Sequence, residues 1–442
     1  MVASVRKRLP KFSWQSIIFL VSLGLWAATG MLVYLENFTP EMKVLNITNS
    51  QRQTSRPYLW NKNIVVVGHI TEIYGPVQAL INYFKKNVNE FTSILHPFSY
   101  TSISESENNL FIRGKSEKII RQKNIKSSEV ISFLQHFLLT FCFLLRRNKR
   151  KIDIYVGADN LSAFVGILLK KIHITDEVVF YIIDYTPKRF ENRYMNFLYH
   201  SLTIFCVRNC DYTWNISKRI ADLLAGKTSV SKQRNFVVPV GIELEKIQHA
   251  PENEVRRNLL IFAGHLTRQK GIELVIEAMK DIVKEVPEAK LEIVGVGPYE
   301  HELKAITERN FLNDHIKFMG YLDHNLLLRY LPTCGIALAT YPADPDSITY
   351  YADPTKPKEY LACGLPVVIT NVSWIANIIN SVPMGISINY NTVELKNAIV
   401  KLMKDDVFYE ACRRNALKFI FDLSWDTIYN NAFSRIVELR NS

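Results

Sequence analysis

The chain has 442 residues, about three times the ~150 residues of a typical domain, so a single small module is excluded. Hydrophobic residues make up 48% of the sequence and charged residues 22%, which excludes a wholly disordered chain. The formal net charge of +12 favours a partner that carries phosphate, namely a nucleotide, a nucleic acid or an anionic membrane surface.

The N-terminal segment predicts a membrane anchor. Residues 17–35 form an uncharged, mostly apolar run close to the ~20 residues that span a bilayer, and basic residues precede it. A cleaved signal peptide is the competing interpretation, but its apolar core is usually only ~7–15 residues long. A helix packed against the globular body is a third interpretation. We predict an uncleaved anchor helix within residues 1–36 and a linker over residues 37–62.

Strand and helix patterns alternate after the linker. Residues 64–67 are a β-branched run followed by a glycine-bearing loop and a helical apolar pattern. The same order recurs with strands predicted at residues 152–157 and 178–183. Such alternation implies a parallel sheet covered by helices, so we predict a first Rossmann-like lobe over residues 63–245.

A strongly apolar segment at residues 130–145 ends in the basic run at residues 146–151. The segment is short for a membrane span, and it lies between strands of one predicted sheet, which a crossing would split. Two interpretations stay open. It is either a helix of the lobe whose basic end touches anionic lipid or a core helix with a solvated basic tail.

The alternation restarts beyond a charge-rich stretch at residues 243–257. Strands are predicted at residues 259–263, 291–294, 316–318, 335–340 and 366–370, and helices at residues 272–283 and 357–362. We predict a second Rossmann-like lobe over residues 246–415, followed by C-terminal helices over residues 416–442. Two lobes imply a cleft, and ligands of parallel sheets bind at the carboxyl ends of strands.

The loop after the first strand of the second lobe predicts an anion site. Gly264 follows a buried strand, and His265, Arg268 and Lys270 precede a clearly amphipathic helix. Basic groups at a positive helix terminus suit phosphate. The alternative is a surface turn with solvated basic side chains.

Two further segments of the second lobe suit a nucleotide. Gly295 and Gly297 follow a strand and allow close backbone approach. Lys356 precedes a short predicted helix and Glu359 falls in its first turn, where the acid can accept hydrogen bonds from ribose hydroxyls. The alternative for Glu359 is stabilisation of the helix dipole.

Together these segments resemble the retaining nucleotide-sugar glycosyltransferases often called group 1. The resemblance runs from about residue 64 to residue 436 and is strongest over residues 259–370. It implies the two-lobe GT-B architecture and a reaction without a metal or other cofactor. It also implies that Lys270 contacts the donor diphosphate, Glu359 the nucleotide ribose, and Gly297 the nucleotide through its backbone.

The chain departs from this family at two positions. His265 stands where the family commonly has Arg, and an imidazole is mostly neutral at pH 7, so Arg268 is expected to supply the missing cation. Tyr351 stands where an acid often helps to bind the donor sugar, and Asp353 follows two residues later. We include both Tyr351 and Asp353 in the predicted donor site.

The first lobe adds candidates at the ends of its strands. The loop that contains His69 and Gly75 corresponds to a loop that approaches the acceptor and the donor phosphate in similar enzymes. Asp184 ends another strand, where relatives often carry His or Asp near the sugar. We predict His69, Asp184 and Lys270 as catalytic residues. A packed histidine and an Asp that opens a turn before Pro187 are the alternatives.

The sequence therefore predicts a metal-independent glycosyltransferase that uses a nucleotide-diphosphate sugar and a glycan or lipid-linked acceptor. A catalytically degenerate sugar-nucleotide-binding or scaffold protein and a nucleotide-sugar epimerase are the alternatives. No C-x-x-C pair occurs among the six cysteines, so no zinc site is predicted. Nucleic acid is not an expected partner, because no aromatic residue interrupts the basic run at residues 146–151.

The expected location is a membrane, reached by a single span or from its surface. The basic residues before the apolar N-terminal run put the N-terminus in the cytoplasm and a body beyond a true span outside. Nucleotide sugars, however, are made in the cytoplasm. The absence of a disulfide pattern and the basic run at residues 146–151 favour a catalytic body on the cytoplasmic face.

Overall fold

The computed structural model of the chain describes residues 56–71, 74–98, 101–124, 129–145 and 151–441. This part of the chain folds into two α/β lobes, each with a mainly parallel sheet and helices packed against it. The prediction of two Rossmann-like lobes is confirmed. The predicted anchor helix within residues 1–36 lies outside the described residues. In the described ranges, no helix has both the length and the apolar character that crossing a bilayer requires.

Within the described residues, eight strands form the sheet of the first lobe: β1 (Asn63–Ile70), β2 (Glu90–Pro97), β3 (Glu105–Ile112), β4 (Lys115–Lys123), β5 (Ile152–Gly157), β6 (Thr175–Ile182), β7 (Tyr212–Asn215) and β8 (Asn235–Val237). Their order is β4-β3-β2-β1-β5-β6-β7-β8. The middle residues of β1 are fully buried because helices cover the sheet. The described helices of this lobe are α1 (Arg56–Leu59), α2 (Pro76–Asn87), α3 (Glu129–Leu145), α4 (Asn160–Lys171), α5 (Arg193–Asn209) and α6 (Lys218–Thr228).

One edge of this sheet corrects the prediction of a wholly parallel arrangement. Strands β3 and β4 pair antiparallel with each other, and β3 pairs antiparallel with β2. Arg113 and Gly114 join β3 to β4 with positive φ angles of 48° and 77°, as in the tight turns that favour hairpins. Every residue of β4 is exposed, so its sequence carries no apolar alternation that would have revealed a strand.

Six described strands form the sheet of the second lobe: β9 (Arg256–Ala263), β10 (Lys290–Val294), β11 (Ile316–Gly320), β12 (Cys334–Ala339), β13 (Val367–Thr370) and β14 (Gly385–Ile388). All of them are parallel, in the order β11-β10-β9-β12-β13-β14. The described helices that follow β9 are α7 (Ile272–Glu285), α8 (Glu300–Arg309), α9 (His324–Tyr330), α10 (Ile348–Tyr351), α11 (Thr355–Ala362), α12 (Trp374–Ser381), α13 (Thr392–Lys404), α14 (Asp406–Phe419) and α15 (Trp425–Asn441).

The last helix, α15, packs on the first lobe rather than on the second. Its residues Tyr429 and Phe433 are fully buried in the core of the first lobe, and the Tyr429 hydroxyl donates to Pro76 O at 2.7 Å. Gly241 lets the chain pass beneath Trp425, because a Cβ at that position would lie 2.6 Å from the indole ring. The predicted C-terminal helices therefore divide between the lobes, since α14 belongs to the core of the second lobe.

Candidate active site

The carboxyl edge of the second sheet collects most of the predicted donor residues. Strand β9 ends at Ala263, and the neighbouring strand β12 ends at Ala339. Because parallel neighbours end at the same edge, the loops that follow these strands meet there. Lys270 comes from the loop after β9, Tyr341 from the loop after β12, and Glu359 from α11.

Lys270 is a half-buried cation on this edge. Its Nζ lies 5.6 Å from the centre of the Tyr341 ring, and burial lowers the pKa of the ammonium group. No carboxylate among the described residues pairs with it. Gly271 follows with φ +65° and begins α7 without a side-chain cap, and a Cβ there would lie 1.8 Å from Thr340 O. Only glycine fits, so Lys270 stands at a fixed, open helix N-terminus.

The other basic residues of this loop lie differently from the prediction. The guanidinium of Arg268 pairs with Glu302 at 2.6 Å and stacks over the Tyr299 ring at 4.4 Å. Arg268 is thus held against α8, and its role as the missing cation stays a prediction. His265 is exposed on the same loop.

Glu359 is buried and held by two basic neighbours. Its Oε1 lies 2.9 Å from His324 Nε2, and its Oε2 accepts from Lys356 Nζ at 2.8 Å. Burial acts to raise the pKa of Glu359, but the hydrogen bond from His324 and the charge of Lys356 outweigh it and hold that pKa below its ordinary value. Burial and the charge of Glu359 both raise the pKa of the Tyr341 hydroxyl. The carboxylate is therefore ionised and close to Tyr341.

The glycines of this edge are required by the chain's own packing. Gly295 has φ +136°, and a Cβ there would lie 1.9 Å from Gly264 O. A Cβ at Gly297 would lie 2.3 Å from Leu266 O. These close contacts join two loops of the protein, and the approach of a nucleotide to the Gly297 backbone stays a prediction. Gly264 itself has room for a side chain, with Phe262 3.6 Å away.

Tyr351 and Asp353 occupy the junction of the two lobes. The Tyr351 ring is buried against Tyr185 of the first lobe, with 4.9 Å between ring centres. The Asp353 carboxylate is fully buried and accepts from Lys358, from Trp374 and from the Val240 amide. Asp353 thus joins the lobes, and its predicted donor contact stays a prediction.

The first lobe brings His69 and Asp184 to one cavity of about 470 Å³. His69 Nδ1 lies 3.3 Å from Asp159 Oδ2, and Asp184 Oδ2 accepts from Arg189 at 2.7 Å. Gly75 is not among the lining residues and caps the start of α2 in an extended conformation.

Sequence reasoning missed Asp159, Arg189, His324 and Tyr341. Asp159 follows β5 as Asp184 follows β6, so the rule that selected Asp184 could have found it. His324 and Tyr341 carried no comparable signal, because neither belongs to a recognisable spacing. Among the described residues, no group of three or more His, Cys, Asp or Glu could hold a metal ion.

Comparison with known proteins supports the same region. Residues 245–419 match the family model described as glycosyl transferases group 1. An alpha-monoglucosyldiacylglycerol synthase of Streptococcus pneumoniae is 25% identical over 50% of this chain and 53% of its own length. An uncharacterized glycosyltransferase of Methanocaldococcus jannaschii is 24% identical over 69% of this chain and 74% of its own. The chain thus aligns with about half of the first relative.

Two solved structures share the fold. HepE of Anabaena in complex with UDP has a TM-score of 0.61 at 14% identity, over 85% of this chain and 99% of its own. Sucrose-phosphate synthase of Thermosynechococcus elongatus has a TM-score of 0.62 at 15% identity, over 86% and 100%. The predicted resemblance to group 1 glycosyltransferases and the GT-B architecture are confirmed, and glycosyltransferase is the enzyme class that the matched family and these relatives share.

Proposed function

We propose that this chain, a relative of the group 1 glycosyltransferases, moves a sugar from a nucleoside-diphosphate donor to an acceptor with retention of configuration. The observation that carries the proposal is that Lys270 and Glu359 both lie near Tyr341 at the carboxyl edge of the second sheet. One group is a cation without an anionic partner among the described residues, and the other is a buried, ionised carboxylate.

Lys270 is suited to the leaving diphosphate. During transfer the acceptor oxygen forms a bond to the anomeric carbon, the bond from that carbon to the diphosphate breaks, and the acceptor proton passes to His69, a predicted catalytic residue of the first lobe. Negative charge therefore grows on the diphosphate. A half-buried ammonium beside the open N-terminus of α7 stabilises this charge in a site that needs little reorganisation.

Glu359 is suited to the ribose hydroxyls. An ionised carboxylate offers about four lone-pair positions, and His324 and Lys356 use two of them. The remaining lone pairs can accept from two neighbouring hydroxyls. His324 and Lys356 also fix the carboxylate, so little side-chain freedom is lost when the nucleotide binds.

The test is a screen of nucleotide sugars, measured by release of the nucleoside diphosphate and by its direct binding. Glu359→Gln should fold normally and weaken the nucleoside diphosphate by roughly tenfold to a hundredfold, as expected for charge-assisted hydrogen bonds of ~1.5–3 kcal/mol. Glu277→Gln, on the outer side of α7, is the matched control. An unchanged Kd in the Glu359 variant would remove Glu359 from the donor site.

The same screen separates the alternatives. A degenerate binding protein would bind a nucleotide sugar without releasing the diphosphate. An epimerase would convert one nucleotide sugar into another without an acceptor.

We further propose that the first lobe meets an anionic membrane surface. Helix α3 exposes an apolar face at helical spacing, formed by Ile131, Leu134, Leu138 and Leu145. Tyr194 and Phe197 at the start of α5 are also exposed. In the sequence the basic run at residues 146–151 follows α3 directly, as suits anionic lipid. The name of the streptococcal relative, a monoglucosyldiacylglycerol synthase, supports a lipid acceptor.

Cys142 allows this surface to be tested without removing any part of the chain. It lies on α3 and is exposed, whereas the other five cysteines are buried. An environment-sensitive dye on Cys142 should shift to the blue with vesicles containing anionic lipid, and less with neutral vesicles. The same dye attached at position 421 in the double variant Phe421→Cys, Cys142→Ser should not respond, although Phe421 is also exposed. Equal responses at both sites would contradict the proposed surface.

The proposed location of the catalytic body is the cytoplasmic face of the membrane, where nucleotide sugars are made. Protease added outside intact cells should then leave the body intact. Degradation of the body would show that it lies outside the cell and would contradict the proposed cytoplasmic location.

A further inference from the structure

We infer that the acceptor carries an apolar body beside its reacting hydroxyl, and that His69 Nε2 accepts a hydrogen bond from that hydroxyl. This inference rests on the proposed transfer reaction and names the acceptor's chemical class. It concerns the cavity of the first lobe, which we call the His69 cavity, lined by residues including His69, Phe133, Asp159, Asp184 and Leu198.

The His69 cavity has the size and lining of a site for an apolar group. Its volume of about 470 Å³ falls within the ~300–1,000 Å³ range of small-molecule sites. Most of the surface comes from aromatic and aliphatic side chains, including Phe98, Phe133, Leu161, Phe190, Leu198 and Leu202. A ligand that fills this space removes apolar surface from water on both sides, which favours binding.

Each charged group of the cavity has a partner within the cavity. Asp184 pairs with Arg189, and Asp159 pairs with His69. No lining cation is left for a phosphate, in contrast to Lys270 in the second lobe. The cavity therefore suits an uncharged, apolar group better than a diphosphate.

His69 supplies a polar atom that lacks a partner. Its ring is stacked on Phe98, with 4.1 Å between ring centres, and its side chain is only 10% exposed. Nε2 is buried and has no hydrogen-bond partner among the described residues. A buried polar atom without a partner is unfavourable, and a ligand hydroxyl would satisfy it.

Asp159 sets which nitrogen of His69 is free. Burial acts to raise the pKa of Asp159, but hydrogen bonds from His69 and Ser162 outweigh it and lower that pKa to about 2. The ionised carboxylate accepts from Nδ1–H, so in the neutral ring Nε2 carries the lone pair. Asp159 is thus a positioning residue.

The cavity extends to the second lobe, because Ile348 of that lobe is among its lining residues.

The probe is 1-octanol, a hydroxyl on an apolar chain, compared with ethanol and with n-octane. Binding to the full chain is followed without donor by the ring ¹⁵N resonances of histidine. We expect 1-octanol to shift Nε2 of His69 and to leave His200 unchanged, whereas ethanol and n-octane should not shift Nε2 at equal concentration. Absence of a shift at saturating 1-octanol, or an equal shift with ethanol, would overturn the inference.

Two variants test the roles of the pair. His69→Phe keeps the stacked ring and removes Nε2, so affinity for 1-octanol should fall about fivefold to tenfold while affinity for n-octane stays unchanged. Asp159→Asn keeps the oxygen that accepts from Ser162 N but turns an amide toward Nδ1, which should move the proton to Nε2. Nε2–H would then donate to 1-octanol, and the Nε2 resonance should change accordingly. His200→Phe is the control. Loss of both ligands in equal measure would indicate a merely structural role.

The source of the alcohol is resolved by a second arm with hexadecanol in phosphatidylcholine vesicles. A shift of His69 Nε2 with both probes assigns a membrane lipid, and a shift with free 1-octanol alone assigns a soluble amphiphile. Because no donor is present, these results do not depend on transfer activity. A chain that binds 1-octanol but uses no nucleotide sugar would contradict the proposed reaction and not the cavity.

Discussion

Each lobe has its candidate site at the carboxyl edge of the parallel strands of its own sheet, yet the two sites differ in charge. In the first lobe the charged groups of the His69 cavity are paired within the cavity, which leaves apolar surface and one free ring nitrogen. In the second lobe Lys270 has no anionic partner among the described residues, and Glu359 keeps free lone pairs. Each sheet positions its site at its carboxyl edge. Whether the charged side chains there are paired decides whether the site suits an apolar alcohol or a diphosphate.

Removing the free cation should have the largest effect. Lys270→Ala should reduce turnover about 10²- to 10³-fold, as expected when a group that stabilises developing charge is lost, with a smaller effect on donor affinity. Lys280→Ala, an exposed lysine of α7, is the matched control. Steady-state rates and donor Kd values check this. A weaker donor Kd with an unchanged turnover would mean that Lys270 binds the ground state as strongly as the transition state.

Lowering the pH should destabilise the first lobe more than the second. Burial, then the charge of His69, lowers the pKa of His136 to about 4, and burial lowers the pKa of His96 well below its ordinary value. The unfolded chain binds these protons near pH 6.5, so stability is lost as pH falls from about 6.5 to about 4. His136 alone accounts for about 3 kcal/mol. Asp159 stays ionised throughout this range, because its pKa is about 2.

Hydrogen exchange at pH 7 and pH 5 checks this, since peptides from β2 and α3 should lose protection before peptides from β9 and α7. His136→Gln should reduce the difference. Simultaneous loss of protection in both lobes with the wild-type chain and the variant alike would contradict it.

The smallest expected effect is at His265, which is exposed. His265→Arg should change the donor Kd by up to about fivefold, because an exposed charge contributes roughly 0–1 kcal/mol. If the imidazole touches phosphate, wild-type activity rises as pH falls from 8 to 6, and the Arg variant loses that rise. Rate profiles over this range measure it. A flat wild-type profile would separate His265 from the donor.

Local patterns predicted the fold where burial and periodicity agree. The fully buried run before Gly264 and the amphipathic pattern of α7 are visible along the chain, so their strand and helix were predicted close to the observed bounds. The exposed strand β4 lacks such a pattern. The return of α15 to the first lobe depends on contacts distant in sequence, which periodicity does not carry.

The candidate site was predictable only in part, for the same reason. Lys270 and Glu359 could be selected by their positions at helix starts. The hydrogen bonds of Asp353 could not be predicted, because its partners Val240 and Trp374 come from distant segments that only the fold brings together. The partnership of His69 with Asp159 likewise joins the ends of two neighbouring strands.

The return of α15 makes the second lobe an insertion within the first. The chain crosses between lobes at two adjacent places, since the Ile242 amide donates to Leu423 O at 3.0 Å. During synthesis the second lobe therefore leaves the ribosome before α15, the helix that completes the first lobe. Until α15 is released, the surface of the first lobe that Tyr429 and Phe433 cover stays exposed, while the second lobe can already form its core. A chain that ends near residue 424 should thus bind nucleotide while its first lobe still exposes apolar surface to chaperones.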